Sequence, residues 1–538
     1  MNQALTPFRL RAGCLLLAWS LVLAPLPLAA QSLPGDASQV RLPALGESAS
    51  DEFNLSAEKR LGEQIMREIR RDPDYLDDPV LLEYLQTIWQ PLVAAARQRG
   101  DIGNDIGTLF PFESFLVRDR SVNAFALPGG YVGVNLGMIA MTTARDELAS
   151  VLAHELSHVT QRHIARSIVA ANRSSTLSLA AMLLGILAAS KARNADMAQA
   201  AIMSGQAAAA QAQLNFSRDM EREADRNGLN LMSVAGFAPA GMAAMFEKLD
   251  QSVRLNDSGG FPYLRSHPLT IDRIGEARQR IEVLGAQPSS AQLQAASPLV
   301  HALMQSRAKV LMDPSTQSLR RFQEVELRGP ASLRDRLAAL YLRAFASTQL
   351  REFTVAEQAL AAGEPLLPDA GTKRAWAQLA IETALARGDS ARATERLAAW
   401  PADGSRSRLL LSARVAQQRN DAESIKQSTE QLQTWVAEHR DDAQAWQALA
   451  LSAERLGLTL RSLRAHAEAE AAIGNLPGAI DRLRAGQQIA RRGGPGVDFI
   501  EASVIDSRLR DLMSQRRQLM AEQRGGSQRR GDPPEELE

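Results

Sequence analysis

The ten residues 151–160, VLAHELSHVT, contain His154, Glu155 and His158. Residues four apart lie on the same face of an α-helix, so both imidazoles can bind one metal ion. Glu155 lies beside them and can take a proton from a water molecule at that metal. The apolar residues around the motif are typical of a buried helix. The segment therefore predicts a hydrolytic zinc site, with one Zn²⁺ per chain, on a buried helix.

A hydrolytic zinc site needs a third protein ligand and one open position. An extended three-histidine motif would require glycine at position 161 and histidine at position 164, but the chain has Gln161 and Ile164 there. His163 lies about 180° from His154 around a continuous helix. We therefore expect His163 to face away, as a surface or structural residue, and the third ligand to come from another segment.

Glu221 and Asp225 supply a candidate for that ligand. They are four residues apart in the segment SRDMEREAD (217–225), on one face of a second helix. One carboxylate can bind zinc while the other accepts the N–H of a histidine ligand. Spacing alone also fits an ordinary surface pair. Glu223 lies on the opposite face of that helix and is expected to be solvated.

The combination of HExxH with SRxxExxAD about 60 residues later resembles the zinc metalloproteases (gluzincins) that include HtpX and the CAAX prenyl endopeptidases. The resemblance covers residues 53–285. It implies an α+β zincin-type metalloprotease domain, for which we place the bounds at 53–295. The small sheet of this domain is expected within 112–135, with helices on both sides.

The resemblance also assigns residues. It implies that Glu221 is the third zinc ligand and that Asp225 orients a histidine ligand. The segment Asn123-Ala124-Phe125 resembles the family's edge strand beside the active site, which implies substrate binding there. Ser266-His267-Pro268 resembles the family's downstream His-Pro segment.

His267 has three candidate roles. It can be a loop residue bonded to backbone, an oxyanion donor (a role that Arg218 can also fill), or a neutral ligand in the fourth zinc position. The last role would displace the water and switch the enzyme off, and we favour it.

The N-terminus has the pattern of an export signal. Arg9 and Arg11 precede an apolar run at 14–24, and small residues follow at Ala29 and Ala30. We therefore predict a cleaved signal peptide at 1–30, a linker at 31–52 and a periplasmic protein. Cys14 is the only cysteine, and cleavage removes it. The apolar segment 176–190 is short for a membrane crossing and suggests a buried or surface-docked helix. The alternative is a segment that makes peripheral contact with a membrane or covers a cleft.

The C-terminal half is predicted to be all α. Trp376 and Trp446 lie 70 residues apart in similar surroundings, which is twice the period of tetratricopeptide repeats. We therefore expect repeats at 296–495, then a C-terminal helix and disordered tail at 496–538, with disorder from residue 523. A helical bundle without true repeats is the alternative. The chain as a whole is thus predicted to be mainly α.

Function follows from the combination of a protease domain and repeats. The combination of an export signal, a protease domain and repeats resembles the periplasmic members of this family. The resemblance implies an endopeptidase of the periplasm that acts on misfolded or stalled outer-membrane proteins. Unfolded polypeptides and the outer-membrane assembly machinery are the expected partners. Basic and acidic residues balance at 61 each, so the basic excess of nucleic-acid binders is absent. The alternatives are a mostly latent protease that acts as a repeat scaffold or chaperone, and a zinc hydrolase of small molecules.

Overall fold

The computed structural model describes residues 53–170, 218–255, 262–285, 298–325, 330–493 and 498–528. All of these residues belong to one compact unit. The expected signal peptide, the linker and the apolar segment 176–190 lie outside the described residues. Within the described ranges, no helix has both the length and the apolar character that a membrane crossing requires.

Most of the described chain is helical, and the helices are numbered here in chain order. They are α1 Leu55–Ile69, α2 Pro79–Arg99, α3 Asn104–Leu109, α4 Leu136–Met141, α5 Arg145–Thr160, α6 His163–Ala170, α7 Arg218–Ala235, α8 Ala240–Leu255, α9 Pro262–Ser266, α10 Ile271–Leu284, α11 Pro298–Met312, α12 Thr316–Gln323, α13 Leu333–Gln349, α14 Phe353–Gly363, α15 Ala370–Arg387, α16 Ser390–Ala399, α17 Arg406–Arg419, α18 Ala422–Glu438, α19 Ala443–Arg455, α20 Thr459–Ala472, α21 Leu476–Arg492 and α22 Phe499–Gln528. A 3₁₀ turn, Glu364–Leu366, follows α14.

One small sheet lies among the first helices. Its strands are β1 Tyr75–Leu76, β2 Glu113–Val117, β3 Ala124–Leu127 and β4 Tyr131–Asn135. Their order is β1-β2-β4-β3, with β2 and β4 parallel and the other two pairs antiparallel. Strand β3 is therefore an edge of this sheet, and it packs against α5. The predicted fold class, mainly α with a small sheet in the first part and an all-α second part, is confirmed.

The helix that carries the HExxH motif ends earlier than its sequence suggests. The pattern predicts one helix across 145–172, but α5 ends at Thr160 and α6 begins at His163. Arg162 lies between them with φ of 52°, in the left-handed region. Its buried guanidinium pairs with Glu58 on α1 and donates to the carbonyl of Phe53. These contacts with a distant segment stabilise a turn that has neither glycine nor proline.

The hydrophobic core continues across the expected domain boundary at 295–296. One cluster of buried side chains extends from Leu76 on β1 to Ala380 on α15 and includes Leu303 and Met304 on α11. Helix α11 packs against α2 and α4 of the first part and against α13 and α15 of the second. The hydrophobic core is not interrupted at 295–296, so the domain boundary there stays a prediction from the sequence.

The second part is a succession of helix pairs. Helices α13, α15, α17, α19 and α21 begin at Leu333, Ala370, Arg406, Ala443 and Leu476, which gives intervals of 37, 36, 37 and 33 residues. The final helix α22 extends to Gln528, past residue 523, where the disordered tail is predicted to start. Packed turns near the start of α22 supply its nucleus, and a helix propagates from a nucleus at little cost. Residues 529–538 lie outside the described part of the chain.

Candidate active site

Four side chains that can bind a metal converge in the core of the first part. His154 and His158 project from α5, Glu221 from α7, and His267 from the segment after α9. One ligand atom from each lies within 4.8 Å of the others, and all four residues are buried. The Nε2 atoms of His154 and His158 are 3.0 Å apart, and Glu221 Oε1 lies 3.4 Å from His158 Nε2. The structure therefore brings together the three predicted ligands and His267, the favoured candidate for the fourth position.

Asp225 and Arg273 lie behind His154 and Glu221. Asp225 Oδ1 is 2.9 Å from Nδ1 of His154, on the side of the ring away from the cluster. Arg273 donates to both oxygens of Asp225, at 2.6 and 2.8 Å, and its Nη1 lies 2.9 Å from Glu221 Oε2. Burial alone would raise the pKa of Asp225, but the bonds from Arg273 and His154 hold it below its usual value. Asp225 thus lies beside His154, and its orienting role stays a prediction.

The approach of α7 to α5 depends on a small residue. Gly228 lies seven residues after Glu221, on the same face of α7, against the backbone of α5. A Cβ atom at Gly228 would lie only 3.3 Å from the backbone nitrogen of His154. Glycine at this position therefore allows α7 to bring Glu221 and Asp225 within reach of the histidines.

Glu155 faces the same centre without belonging to the cluster. Its side chain is fully buried, and its Oε1 lies 3.5 Å from Nε2 of His267. Burial raises the pKa of Glu155, whereas the nearby His267 and His154 and the backbone N–H of Ala126 on β3 oppose that rise. A carboxyl in such surroundings is suited to accept a proton and pass it on.

His267 contacts both the cluster and Glu155. Its Nδ1 lies 3.0 Å from Oε1 of Glu221 and 3.3 Å from Nε2 of His154, while its Nε2 faces Glu155. The ring of Tyr263 lies against it, with ring centroids 4.7 Å apart. No sequence motif marks Tyr263. Arg218, the other candidate oxyanion donor, is exposed at the start of α7.

His163 is a structural residue outside the ligand cluster, as expected, but it does not face away from the site, and Glu223 is not on a solvated face. Because α5 ends at Thr160, the next helix starts in a new direction, and His163 is fully buried with its Nδ1 2.8 Å from Nδ1 of His158. Its Nε2 lies 3.2 Å from Oε2 of Glu223, and Arg166 donates to the same oxygen at 3.0 Å. Glu223 is therefore not simply solvated. The hydrogen bond from His163 lowers the pKa of Glu223 to about 2.

The predicted substrate segment lies along β3, but its side chains do not face the cluster as a group. Ala124 is buried in the core, and the ring of Phe125 packs edge-on against Phe115. Asn123 is buried just before the strand, and its carbonyl accepts the N–H of Asn135. If this segment contacts a substrate, it does so through the backbone of the edge strand β3 and not through these side chains.

The donor set fits zinc. Zinc in proteins is bound by imidazole nitrogens and carboxylate oxygens, and catalytic sites use three protein ligands with one further position. His154, His158 and Glu221 provide that set, and Asp225 supports one histidine as ligand histidines require. The Nδ1 of His267 lies where it can take the fourth position.

Comparison with known proteins agrees with this geometry. The model of peptidase family M48 matches residues 83–281, which include every residue of the cluster. A β-barrel assembly-enhancing protease of Yersinia pestis is 31% identical over 451 residues, which are 83% of this chain and 87% of that protein.

Two further relatives match over shorter segments. A Vibrio cholerae protein that carries the same name provisionally is 38% identical over 255 residues, which are 47% of this chain and 50% of that protein. The mitochondrial metalloendopeptidase OMA1 of Schizosaccharomyces pombe is 30% identical over 230 residues, which are 42% of this chain and 61% of that protein. Against these two relatives the match thus covers less than two thirds of their length.

Proposed function

This chain belongs to peptidase family M48, and we propose that it is a zinc endopeptidase of the periplasm that acts on misfolded or stalled outer-membrane proteins. The observation that supports the proposal most is the buried cluster of His154, His158, Glu221 and His267 beside Glu155. The similarity to β-barrel assembly-enhancing proteases over most of the chain supports the substrate class and the compartment.

The chemistry proposed is hydrolysis of a peptide bond. A bound zinc ion would polarise the scissile carbonyl and lower the pKa of a water molecule to about 7. Glu155 is placed to take a proton from the attacking water as the water oxygen bonds to the carbonyl carbon, and to deliver that proton to the amine nitrogen as the C–N bond breaks. Burial suits this role because it raises the pKa of Glu155 and so brings the carboxyl closer to the pKa of its proton donor.

We propose that substrates bind as an added strand along β3. An edge strand presents backbone N–H and C=O groups that pair with any extended peptide. Strand β3 packs on α5, so a peptide on its outer edge passes close to Glu155. Recognition through backbone groups demands little sequence from the substrate, which suits unfolded polypeptides.

We propose that His267 keeps the resting enzyme closed. Its Nδ1 lies at the cluster while its Nε2 faces the proposed general base, so one ring covers both the water position and Glu155. Movement of the segment after α9 would remove both contacts together. This arrangement supports the fourth-ligand role over the oxyanion role, because an oxyanion donor would need to face the substrate carbonyl.

The helix pairs of the second part are proposed to form tetratricopeptide repeats that bind partner proteins. Their first helices recur at 33 to 37 residues, close to the expected repeat length of 34. Stacked helix pairs form concave surfaces suited to extended partners. The outer-membrane assembly machinery is the partner that the names of the relatives suggest.

A mostly latent protease that acts as a scaffold or chaperone is the second candidate. The position of His267 over the cluster and Glu155 favours it, because such a site opens only when the segment moves. The third candidate, a zinc hydrolase of small molecules, would have no use for a repeat domain that binds proteins.

A digestion experiment tests the proposal. An unfolded outer-membrane β-barrel protein and casein are incubated with the mature chain, with and without a chelator, and with Glu155→Gln. Glu63→Gln, an exposed change on α1, is the matched control. We expect cleavage by the wild type and the control only, and only without chelator. Cleavage that survives the chelator, or that Glu155→Gln retains, would contradict the proposal.

A further inference from the structure

We propose that His163 is a positioning residue that, together with Glu223, fixes the tautomer and orientation of the metal ligand His158. This inference rests on the proposed zinc site. It goes beyond that site because no metal ligand motif includes either residue.

The contacts form one continuous chain away from the cluster. The Nε2 of His158 faces the other ligands, and its Nδ1 lies 2.8 Å from Nδ1 of His163. The opposite nitrogen of His163 lies 3.2 Å from Glu223, whose carboxylate also accepts a hydrogen bond from Arg166. His163 is fully buried, and the side chain of Glu223 is 17% exposed.

Metal binding at His158 would determine where the protons lie in this series of hydrogen bonds. If Nε2 of His158 binds the ion, the single proton of its neutral ring must be on Nδ1. That N–H donates to Nδ1 of His163, which must then be an acceptor, so the proton of His163 is on Nε2. This second N–H donates to the carboxylate of Glu223. Each imidazole in this series of hydrogen bonds has only one tautomer that fits its neighbour. In that tautomer, Nε2 of His158 carries no proton and is available to the metal.

The two histidine ligands are thus supported differently. His154 reaches a carboxylate directly, through Asp225, which Arg273 holds in place. His158 reaches its carboxylate through a second imidazole. Outer partners of this kind orient the ring and raise its basicity, and their removal weakens metal binding by about 10–100-fold.

The turn at residues 161–162 makes the contact possible. On a continuous helix His163 would lie five residues, or about 140°, around from His158 and could not face its ring. The left-handed Arg162, held by Glu58, starts α6 in a direction that returns His163 to His158. The position of this ligand therefore depends on α1 as well as on the motif helix.

Zinc affinity in the full mature chain tests the proposal. The Kd of the apo-protein for Zn²⁺ is measured by competition with a chromogenic chelator, and the visible absorption of the Co²⁺-loaded protein reports the ligand geometry. His163→Phe keeps a buried ring but cannot accept a hydrogen bond, whereas the side-chain oxygen of His163→Gln still can. His301→Phe is the matched control, because His301 is equally buried and hydrogen-bonded, to Tyr84 and the carbonyl of Thr142, away from the cluster.

We expect His163→Phe to raise the Kd about 10–100-fold and to alter the Co²⁺ spectrum, with His163→Gln closer to wild type and His301→Phe unchanged. Glu223→Ala, at a partly exposed position, should raise the Kd by a smaller factor. It provides the test if His163→Phe does not fold. Equal Kd values in Glu223→Ala and wild type, or equal losses in His163→Phe and His163→Gln, would overturn the proposal. A wild type that binds no zinc would instead contradict the proposed function.

Discussion

The centre of the first part and the helix pairs of the second part use polar side chains in opposite ways. Around α5, imidazoles and carboxylates from α5, α7 and the segment after α9 converge on one point. In the second part, polar side chains are used at helix ends, where each bonds a backbone N–H three residues on, as Asp369, Asp389, Ser405, Asp421 and Asp442 do. Convergence costs stability and provides chemistry, whereas capping provides stability and shape.

The largest effect is expected at the cluster itself. Glu221→Ala or His158→Ala removes a ligand, so zinc binding should fall by more than the 10–100-fold expected for outer partners. Metal analysis of the purified variants, beside a wild type with about one zinc per chain, checks this. Full zinc in either variant would show that the buried groups converge for another reason.

The next largest effect is expected where the two parts meet. Arg307 on α11 is 2% exposed and bonds Asp78, the N-cap of α2, and Glu382 on α15. Arg307→Ala leaves two carboxylates without their partner, and we expect about 3–5 kcal/mol lower stability in chemical denaturation. Arg387→Ala, which breaks a pair on the surface, should cost at most about 1 kcal/mol. Equal losses would show that this buried ion pair does not join the two parts.

A smaller effect is expected for the partner of His154. Asp225→Ala should raise the Kd for zinc about 10–100-fold, because His154 loses the acceptor that orients it. Asp225→Asn keeps an acceptor oxygen and should lose less. Chelator competition measures both variants. An unchanged Kd in Asp225→Ala would mean that Arg273 alone holds the site in shape.

The smallest change in zinc binding is expected at His267. Three protein ligands remain in His267→Ala, so zinc should be retained, while the open fourth position and the uncovered Glu155 should increase proteolysis of casein or of the chain itself. A fall in kcat of roughly 10²-fold would instead indicate an oxyanion donor. Activity equal to wild type would reject both roles.

Patterns within one element were predictable from the sequence, and contacts between distant elements were not. Helix α2 begins at Pro79 and ends at Arg99 as its sequence indicates, with Asp78 as N-cap and Gly100 as C-cap. The ligands on α5 and α7 follow from i, i+4 spacing and from family resemblance. The turn at Arg162 does not, because it depends on Glu58, 104 residues earlier in the chain.

The hydrophobic core that the two parts share was also not predictable, because it depends on contacts between distant elements. Helix periodicity indicates that α11 has apolar faces, but it does not indicate which helices cover them. Those faces contact α4 in the first part and α13 in the second. The burial of His163 depends on the turn at Arg162 and therefore lies beyond what spacing can predict.

The central claim is that Glu155 is the base of a metallopeptidase and not a structural carboxylate. The most direct test is the rate of cleavage of an unfolded β-barrel protein by Glu155→Gln at full zinc occupancy, on the same preparation that gives the metal content. We expect zinc equal to wild type and a rate lower by about 10²–10⁴-fold, because the base is lost and the ligands remain. A rate equal to wild type at full occupancy would contradict the account.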